Sequence, residues 1–421
     1  MSLSDNDQQM VQNEPEPDAK DIALHTDSDG KWIPLIDPKE IDEYAEQVYL
    51  ELYEVYKERV KAKKQTKEAY LFSREAGMLL WKISVLVVTG QWNVKGYFKF
   101  KVHHPERIIN APFYVDRIVE QWLIEKYFIP VLEGKIYKYN MACQVDKGPD
   151  KTKEYIKSTM EEMYEAFGAD YYIFQYDCRK YFDNICHEKA LEKFRKYGVC
   201  DFALYLYQSI QKSYSLSDED EDYYGNAKQD GFFYGMPKGN LPSQWTGIML
   251  LNELDWEINF TPDISVENYR YMDDHVSFCI DKAMARKCYH FVENRINKSG
   301  YGLMLHPKKT NIFPISRGLT FCGWHFTQDR DTGIVTVTEK QDKKREQLDK
   351  LDSIWSHFDN VGVMKAKEVR YGVVSYFSRG NKSEGLTHQI LKKYQLFDGE
   401  YDTFYKGKRN PLNIKAAKDN N

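Results

Sequence analysis

Two adjacent carboxylates, Asp273 and Asp274, interrupt an apolar and aromatic stretch at residues 271–274, whose sequence is YMDD. Burying two like charges side by side is costly unless a cation neutralises them. Neighbouring side chains of a strand point to opposite faces, but a hairpin turn would let both carboxylates approach one site. The tetrapeptide alone fits a solvated turn and a metal site equally well.

A third carboxylate, Asp177, follows residues 171–176, a short apolar run that predicts a buried strand. Ligand sites in open α/β sheets lie beyond the carboxyl ends of strands, so Asp177 stands where a ligand would bind. With the acidic pair at residues 273–274 it would form an all-oxygen cluster suited to Mg²⁺. Two such ions can activate a 3′-hydroxyl and stabilise a leaving pyrophosphate. The nearby Asp183 is interpreted instead as a cap of the next helix.

A glycine- and proline-rich loop over residues 235–240, GMPKGN, comes shortly before an apolar helix predicted over residues 244–258. Its glycines would let the backbone approach a flat base or a sugar closely. An ordinary structured turn with a helix cap at Ser243 explains the same residues. The loop alone therefore does not separate a binding role from a structural one.

Helices and strands must position these groups. Strand halves at residues 269–271 and 275–280 flank the acidic pair, and residues 319–327 and 333–337 predict a further hairpin. Helical patterns of apolar residues predict further helices over residues 41–64, 69–88, 114–127, 151–166 and 283–299.

Composition sets wide limits. The chain has 421 residues, 42% hydrophobic and 15% aromatic, which is ample for a folded core. Its net charge of −5 hides an acidic start, with 13 acidic and 3 basic residues over 1–50, and a basic end, with 16 basic and 11 acidic residues over 341–421. Residues 1–37 are expected to be disordered. Seven cysteines without metal-ligand spacing indicate reduced thiols in a cytoplasmic protein, and no apolar run is long enough to predict a membrane span.

The order of these pieces resembles the palm of reverse transcriptases. Asp177 ahead of YFDN, then GMPKG, then YMDD match motifs A, B and C of that family, with Pro237 60 residues after Asp177 and Asp273 36 residues after Pro237. Residues 305–310 (LHPKKT) look like motif D. Residues 319–324 look like the primer-grip hairpin, and residues 107–112 and 116–119 resemble the fingers motifs of bacterial enzymes. The resemblance covers roughly residues 70 to 395.

The resemblance implies a metal-binding role for the acidic residues. Asp177 and Asp273 would ligate two Mg²⁺ ions, with the backbone carbonyl of Cys178 joining one of them. Asp274 would be the third catalytic carboxylate.

The resemblance also assigns substrate contacts. Phe182 matches the steric gate that would exclude a ribose 2′-hydroxyl, although a core aromatic is the alternative. Arg107 matches the arginine that pairs with the incoming triphosphate, with a surface salt bridge as the alternative. Lys309, or its neighbour Lys308, would donate a proton to pyrophosphate. The implied dNTP-binding set is Arg107, Phe182, Pro237, Gly239 and Lys309, and the implied primer grip is Phe321, Cys322, Gly323 and Trp324.

The expected fold class is α+β, a right-hand polymerase with fingers, a palm containing an antiparallel sheet and a helical thumb. After the disordered acidic tail at residues 1–37, three domains are expected. They are N-terminal helices and fingers over 38–170, a palm over 171–338 with a fingers insertion at about 195–234, and a helical thumb with a basic C-terminal tail over 339–421.

The implied function is that of an RNA-directed DNA polymerase using Mg²⁺, an RNA template, a DNA primer and dNTPs, with no membrane partner. Residues 239–244 and 251–255 look most like diversity-generating and antiphage-defence retroelement enzymes of bacteria. Diversity-generating enzymes usually have an aliphatic residue at Lys238, and most other reverse transcriptases have Gln. This departure favours a role in antiphage defence or in another, unclassified bacterial retroelement that uses a dedicated noncoding RNA as its template. A noncoding RNA and an accessory protein are the further partners expected. The alternatives are a mutagenic diversity-generating enzyme and a catalytically vestigial RNA-binding module.

Overall fold

A computed structural model describes residues 24–26, 32–34, 37, 39–62, 66–103, 106–214 and 233–339. The predicted thumb, apart from residue 339, lies outside these residues. Within the tail predicted to be disordered, Leu24–Thr26 (β1) and Trp32–Pro34 (β2) pair as antiparallel strands. The disorder of the tail stays a prediction. The chain divides into two compact units, residues 1–151 with 171–313 and residues 152–170 with 314–421.

The first unit begins with helices whose apolar residues recur every three or four positions. Ala45, Val48, Leu52 and Val55 are buried in this way along the first helix. The helices are α1 (Ile41–Ala62), α2 (Lys67–Ser73), α3 (Ala76–Val88), α4 (Tyr114–Leu123) and α5 (Ile129–Leu132), with a π-helical segment Ile124–Phe128 before α5. Strands β3 (Tyr97–His103) and β4 (Glu106–Pro112) form an antiparallel hairpin between α3 and α4.

A four-stranded sheet lies at the centre of the first unit. Its strands are β5 (Tyr172–Tyr176), β6 (Glu267–Tyr271), β7 (Asp274–Cys279) and β8 (Asn311–Pro314), in the order β6-β7-β5-β8. Both β5 and β6 pair antiparallel with β7. The strands predicted on either side of the acidic pair and before Asp177 are confirmed.

The first unit contains further helices. They are α7 (His187–Tyr197), α8 (Asp201–Lys212), α9 (Leu241–Leu250), α10 (Asn252–Asn259) and α11 (Lys282–Lys298). A short 3-10 helix, Tyr181–Asn184, connects β5 to α7. None of the described helices combines the length and the apolar composition that crossing a bilayer requires.

Two predicted helices are each divided in the structure. The helix predicted over 69–88 breaks at Glu75, whose φ of −132° is not helical. The helix predicted over 244–258 breaks at Leu251. The side chain of the next residue, Asn252, bonds to the backbone of a distant segment. Asn252 accepts a hydrogen bond from the backbone N–H of Tyr137 and donates one to the carbonyl of Lys135, both at 2.8 Å.

The second unit combines one helix with a three-stranded sheet. Helix α6 (Pro149–Phe167), which belongs to this unit from Thr152 onward, buries Ile156, Met160 and Met163. Strands β9 (Leu319–Phe321), β10 (Trp324–Gln328) and β11 (Val335–Glu339) follow one another in an antiparallel sheet. The single strand predicted over 319–327 is therefore two strands, since the turn at residues 322–323 has positive φ angles of 51° and 83°.

Candidate active site

The acidic pair lies at a tight turn between two central strands. Tyr271 pairs with Asp274, so Met272 and Asp273 form a two-residue hairpin loop. Met272 has a φ of +57°, a left-handed conformation that costs a non-glycine residue about 1–2 kcal/mol. The predicted hairpin turn is confirmed, and it brings both carboxylates to one end of the sheet.

Asp177 lies on the neighbouring strand at the same end of the sheet. The register pairs Tyr176 with His275, and the next residues beyond this pair are Asp177 and Asp274. The Asp177 side chain is largely buried, and its backbone carbonyl accepts a hydrogen bond from the N–H of His306 at 2.8 Å. The antiparallel register therefore places all three predicted carboxylates at one edge.

Two neighbouring groups respond to the charges of these carboxylates. Burial raises the pKa of the Cys178 thiol, and the charges of Asp273, Asp177 and Asp274 raise it further. Burial lowers the pKa of Lys309, but its hydrogen bond to Asp177 and the charges of the acidic pair outweigh burial and leave the pKa raised. The three acidic side chains thus act on the same small volume.

Lys309 supplies a cation directly at the carboxylates. Its Nζ lies 2.5 Å from Oδ2 of Asp177. The position is fixed by backbone contacts, because Cys178 forms an antiparallel bridge with Leu305 and the N–H of Lys309 donates to the carbonyl of His306. Of the two lysines that the sequence left open, Lys309 is the one that contacts Asp177.

The donor set suits a hard divalent cation. Carboxylate oxygens are the ligands that such ions prefer, and the ion pair between Lys309 and Asp177 already places one cation against the cluster. In the part of the chain that the structure describes, no three His, Cys, Asp or Glu side chains are close enough together to hold a metal ion as they stand. The predicted contribution of the Cys178 carbonyl stays a prediction.

Phe182 packs at the edge of the core beside the YMDD turn. A Cβ atom added to Gly247 in α9 would lie 3.2 Å from Cζ of Phe182 and 3.4 Å from Sδ of Met272. The absence of a side chain at Gly247 thus leaves space for both residues. Phe182 is half-buried, an environment that fits both a gate and a core aromatic.

Asp183 does not cap the following helix. That helix, α7, begins after Cys186 without a side-chain cap, because the 3-10 turn places Asp183 before the helix start. Both carboxylate oxygens of Asp183 instead lie 2.8 and 2.9 Å from Nζ of Lys238. The interpretation as a cap was wrong, and the residue forms an ion pair with the glycine-rich loop.

The glycine-rich loop packs closely against strand β4 of the β3–β4 hairpin. The N–H of Asn110 in β4 donates to the carbonyl of Lys238 at 2.8 Å. Gly239 has a φ of +122°, and a Cβ atom there would lie only 2.7 Å from Cγ2 of Ile109. This close approach gives a structural reason for glycine. Pro237 is buried in the same loop, and nucleotide binding by Pro237 and Gly239 stays a prediction.

Asn240, not Ser243, caps helix α9. The side-chain oxygen of Asn240 accepts from the N–H of Ser243 at 3.0 Å. Its side-chain amide donates to Oε1 of Glu120 in α4 at 3.2 Å. Burial raises the pKa of Glu120 to about 8, while the bond from Asn240 lowers it. Sequence reasoning missed Glu120, whose only signal is a carboxylate among the inward apolar residues of α4.

Two sets of predicted residues stay predictions. The backbone of Arg107 pairs with Val102 in the β3–β4 hairpin, but its side chain lies outside the described part of the structure. In the second unit, residues 322–323 form the turn that joins Phe321 to Trp324, and both of these flanking side chains are buried. The ammonium of Lys153 lies 4.3 Å from the Trp324 ring centroid. These contacts account for a rigid hairpin and do not test a primer grip.

The sequence of the chain matches a model of the family described as reverse transcriptase (RNA-dependent DNA polymerase) over residues 101–326. This match covers more than half of the chain and includes all three carboxylates, so the chain belongs to the reverse transcriptase family. The predicted α+β class, a right-hand polymerase fold, is confirmed. Domains of this family generally use divalent metal ions.

Among solved structures, the chain is similar to two of apo telomerase from Candida tropicalis. One, truncated from the C-terminal domain, is 13% identical with a TM-score of 0.36, covering 56% of this chain and 52% of that chain. The other is 11% identical with a TM-score of 0.41, covering 76% of this chain and 56% of that chain. The chain thus spans little more than half the length of these telomerase chains. No curated protein matches it.

Proposed function

We propose that this protein is an RNA-directed DNA polymerase, a nucleotidyltransferase that adds deoxynucleotides to a 3′-hydroxyl. The observation that carries the proposal is the register that places Asp177 beside the YMDD turn, with Lys309 bound to it. Asp177, Asp273 and Asp274 would hold two Mg²⁺ ions. When bound, the ions would polarise the attacking hydroxyl and stabilise the charge on the leaving pyrophosphate.

Lys309 would hold a proton beside the reacting phosphate groups. Its raised pKa keeps the ammonium charged at neutral pH, when it pairs with Asp177. Lys309 would donate a proton from its Nζ to the leaving pyrophosphate. Phe182, beside the same turn, would exclude a ribose 2′-hydroxyl and so select dNTPs.

We further propose that the template is a dedicated noncoding RNA of a bacterial retroelement, one that serves antiphage defence or another retroelement role outside diversification. Lys238 supports this proposal, because its ion pair with Asp183 gives the residue a task that the aliphatic residue of diversity-generating enzymes cannot perform. A DNA primer, dNTPs and an accessory protein in the cytoplasm complete the proposed partners.

Primer extension tests the proposed activity. Wild-type protein with Mg²⁺ should extend a DNA primer on an RNA template, and changing both Asp273 and Asp274 to Ala should lower the rate at least about 100-fold. Asp263→Ala, which removes an exposed carboxylate elsewhere in the first unit, is the matched control and should extend normally. Equal rates for the double variant and the wild type would overturn the assignment.

A further inference from the structure

Arg270, two residues before Met272, is a fully buried cation whose donors all have partners. Its Nε donates to both oxygens of Asp255 at 2.9 and 2.7 Å, and Asp255 is equally buried. Its Nη2 lies 2.7 Å from the same carboxylate and donates to the carbonyl of Ile248 at 2.6 Å. Its Nη1 donates to the carbonyls of Gly247 at 3.1 Å and Met272 at 2.9 Å.

Arg270 belongs to a row of buried side chains directly behind the carboxylates. It pairs across the strands with His275, which in turn pairs with Tyr176, the residue before Asp177. The rings of His275 and Tyr176 stack at 4.6 Å between centroids. Arg270 supplies the permanent positive charge of this row.

The contacts of Arg270 connect two parts of the site. Its bond to the Met272 carbonyl holds the residue that adopts the left-handed conformation in the acidic turn. Its bonds to Gly247 and Ile248 hold α9 at the point where Phe182 and Met272 approach it. One rigid, planar guanidinium thus fixes the turn relative to the helix that follows the glycine-rich loop.

We propose that Arg270 is a positioning residue for the acidic turn, and that Asp255 fixes the orientation of its guanidinium. This proposal rests on the proposed function, since it assumes that the turn holds a divalent cation. A purely structural ion pair would alter only the yield and stability of folded protein. A positioning pair also sets the affinity of the folded protein for the cation.

Asp255→Asn is the most informative variant, because it keeps the side-chain volume and an oxygen acceptor while removing the charge. Arg270→Lys keeps the charge but loses the planar fork of donors. The matched control is Lys126→Met, which removes a similarly half-buried ion pair, that between Lys126 and Glu51 among the N-terminal helices. Folding of each variant is checked by circular dichroism and thermal unfolding.

Binding of Mn²⁺, followed by electron paramagnetic resonance without substrate, reports on the turn independently of turnover. We expect Asp255→Asn to weaken Mn²⁺ binding about tenfold, Arg270→Lys to weaken it by a smaller factor, and Lys126→Met to leave it unchanged. The half-saturating Mg²⁺ concentration in primer extension should shift in the same order.

Unchanged Mn²⁺ affinity in folded Asp255→Asn protein would overturn the positioning role. If Arg270→Lys does not fold, the Mn²⁺ affinity of Asp255→Asn alone tests the positioning role. A wild-type protein that binds Mn²⁺ but extends no primer would refute the proposed function, while the comparison of Mn²⁺ affinities would still test the position of the turn.

Discussion

Lys309 places a positive charge directly at the acidic cluster. Its side chain is 59% exposed, yet its ammonium lies 2.5 Å from the Asp177 carboxylate. A long side chain that is exposed along its stem and paired at its tip can leave its partner at little cost. Lys309 is therefore placed to leave the Asp177 carboxylate and to pair with a phosphate group during a reaction.

Removing this ammonium should slow the chemical step. We expect Lys309→Met to lower the single-turnover rate of primer extension about 100-fold, the usual contribution of one general acid. Lys308→Met, one residue away on an exposed side chain, is the control and should react at nearly the wild-type rate. Rapid-quench measurements at saturating dNTP give both rates, and equal losses for the two variants would exclude a specific role for Lys309.

Gly247 controls the space available to Phe182. A methyl group there would force the Phe182 ring to move by a few tenths of an ångström, since the added Cβ would lie 3.2 Å from its Cζ. We expect Gly247→Ala to change the preference for dNTPs over rNTPs measurably, and Phe182→Ala to reduce it about tenfold or more.

The ratio of kcat/KM for a dNTP and its matching rNTP measures this preference. Gly77→Ala is a suitable control, because a Cβ atom on that helical glycine would have only an ordinary contact of 3.7 Å with Tyr49. If Phe182 is only a core aromatic, both site variants should lose stability without any change in the ratio.

Helices α4 and α9 are connected through the buried carboxyl group of Glu120. Glu120 accepts from Asn240, which caps α9, so the start of that helix depends on a residue in α4. Desolvation raises the pKa of Glu120 to about 8, and the neighbouring Asp116 adds to this increase. The connection between the two helices is therefore sensitive to pH.

The folded state holds the Glu120 proton more tightly than the unfolded state, so this residue's contribution to stability falls as pH rises. The loss begins above the ordinary pKa of 4.5 and is complete just above pH 8. Between pH 5.5 and 8.5 the wild type should lose up to about 3 kcal/mol of unfolding free energy relative to Glu120→Gln, which keeps the acceptor for Asn240. Urea unfolding at both pH values measures this difference, and parallel curves would contradict the raised pKa.

The elements that carry the carboxylates could be predicted because their signals are local. A short apolar strand ends at Asp177, and aromatic residues flank the acidic pair. Each of these elements can therefore be predicted from a few neighbouring residues. The partners of Asp183 and Asn240 could not be predicted, because Lys238 lies 55 residues from Asp183 and Glu120 lies 120 residues from Asn240. The helix break at Leu251 was missed for the same reason, since a distant contact of Asn252 accompanies it.

At the scale of the whole molecule, the family determines the type of reaction, while the bound nucleic acid determines the biological role. Phosphate contacts made by Lys and Arg side chains dominate the affinity for nucleic acid, and the carboxylates oppose it. Loss of the acidic pair should therefore abolish synthesis without releasing a bound template.

Sequencing the co-purified nucleic acid tests this expectation. Wild type and the Asp273→Ala, Asp274→Ala double variant should retain the same structured noncoding RNA, and only the wild type should carry complementary DNA. Templates from paired repeats that differ at adenines would contradict the defence role and favour diversification.

The ion pair between Asp183 and Lys238 also limits how this protein can evolve. Asp183 is 8% exposed, so replacing Lys238 with the glutamine or aliphatic residue of relatives would leave a nearly buried anion without its counter-charge. Replacement of Lys238 costs less stability if Asp183 is replaced first or at the same time. Aligned homologues should therefore vary at these two positions jointly.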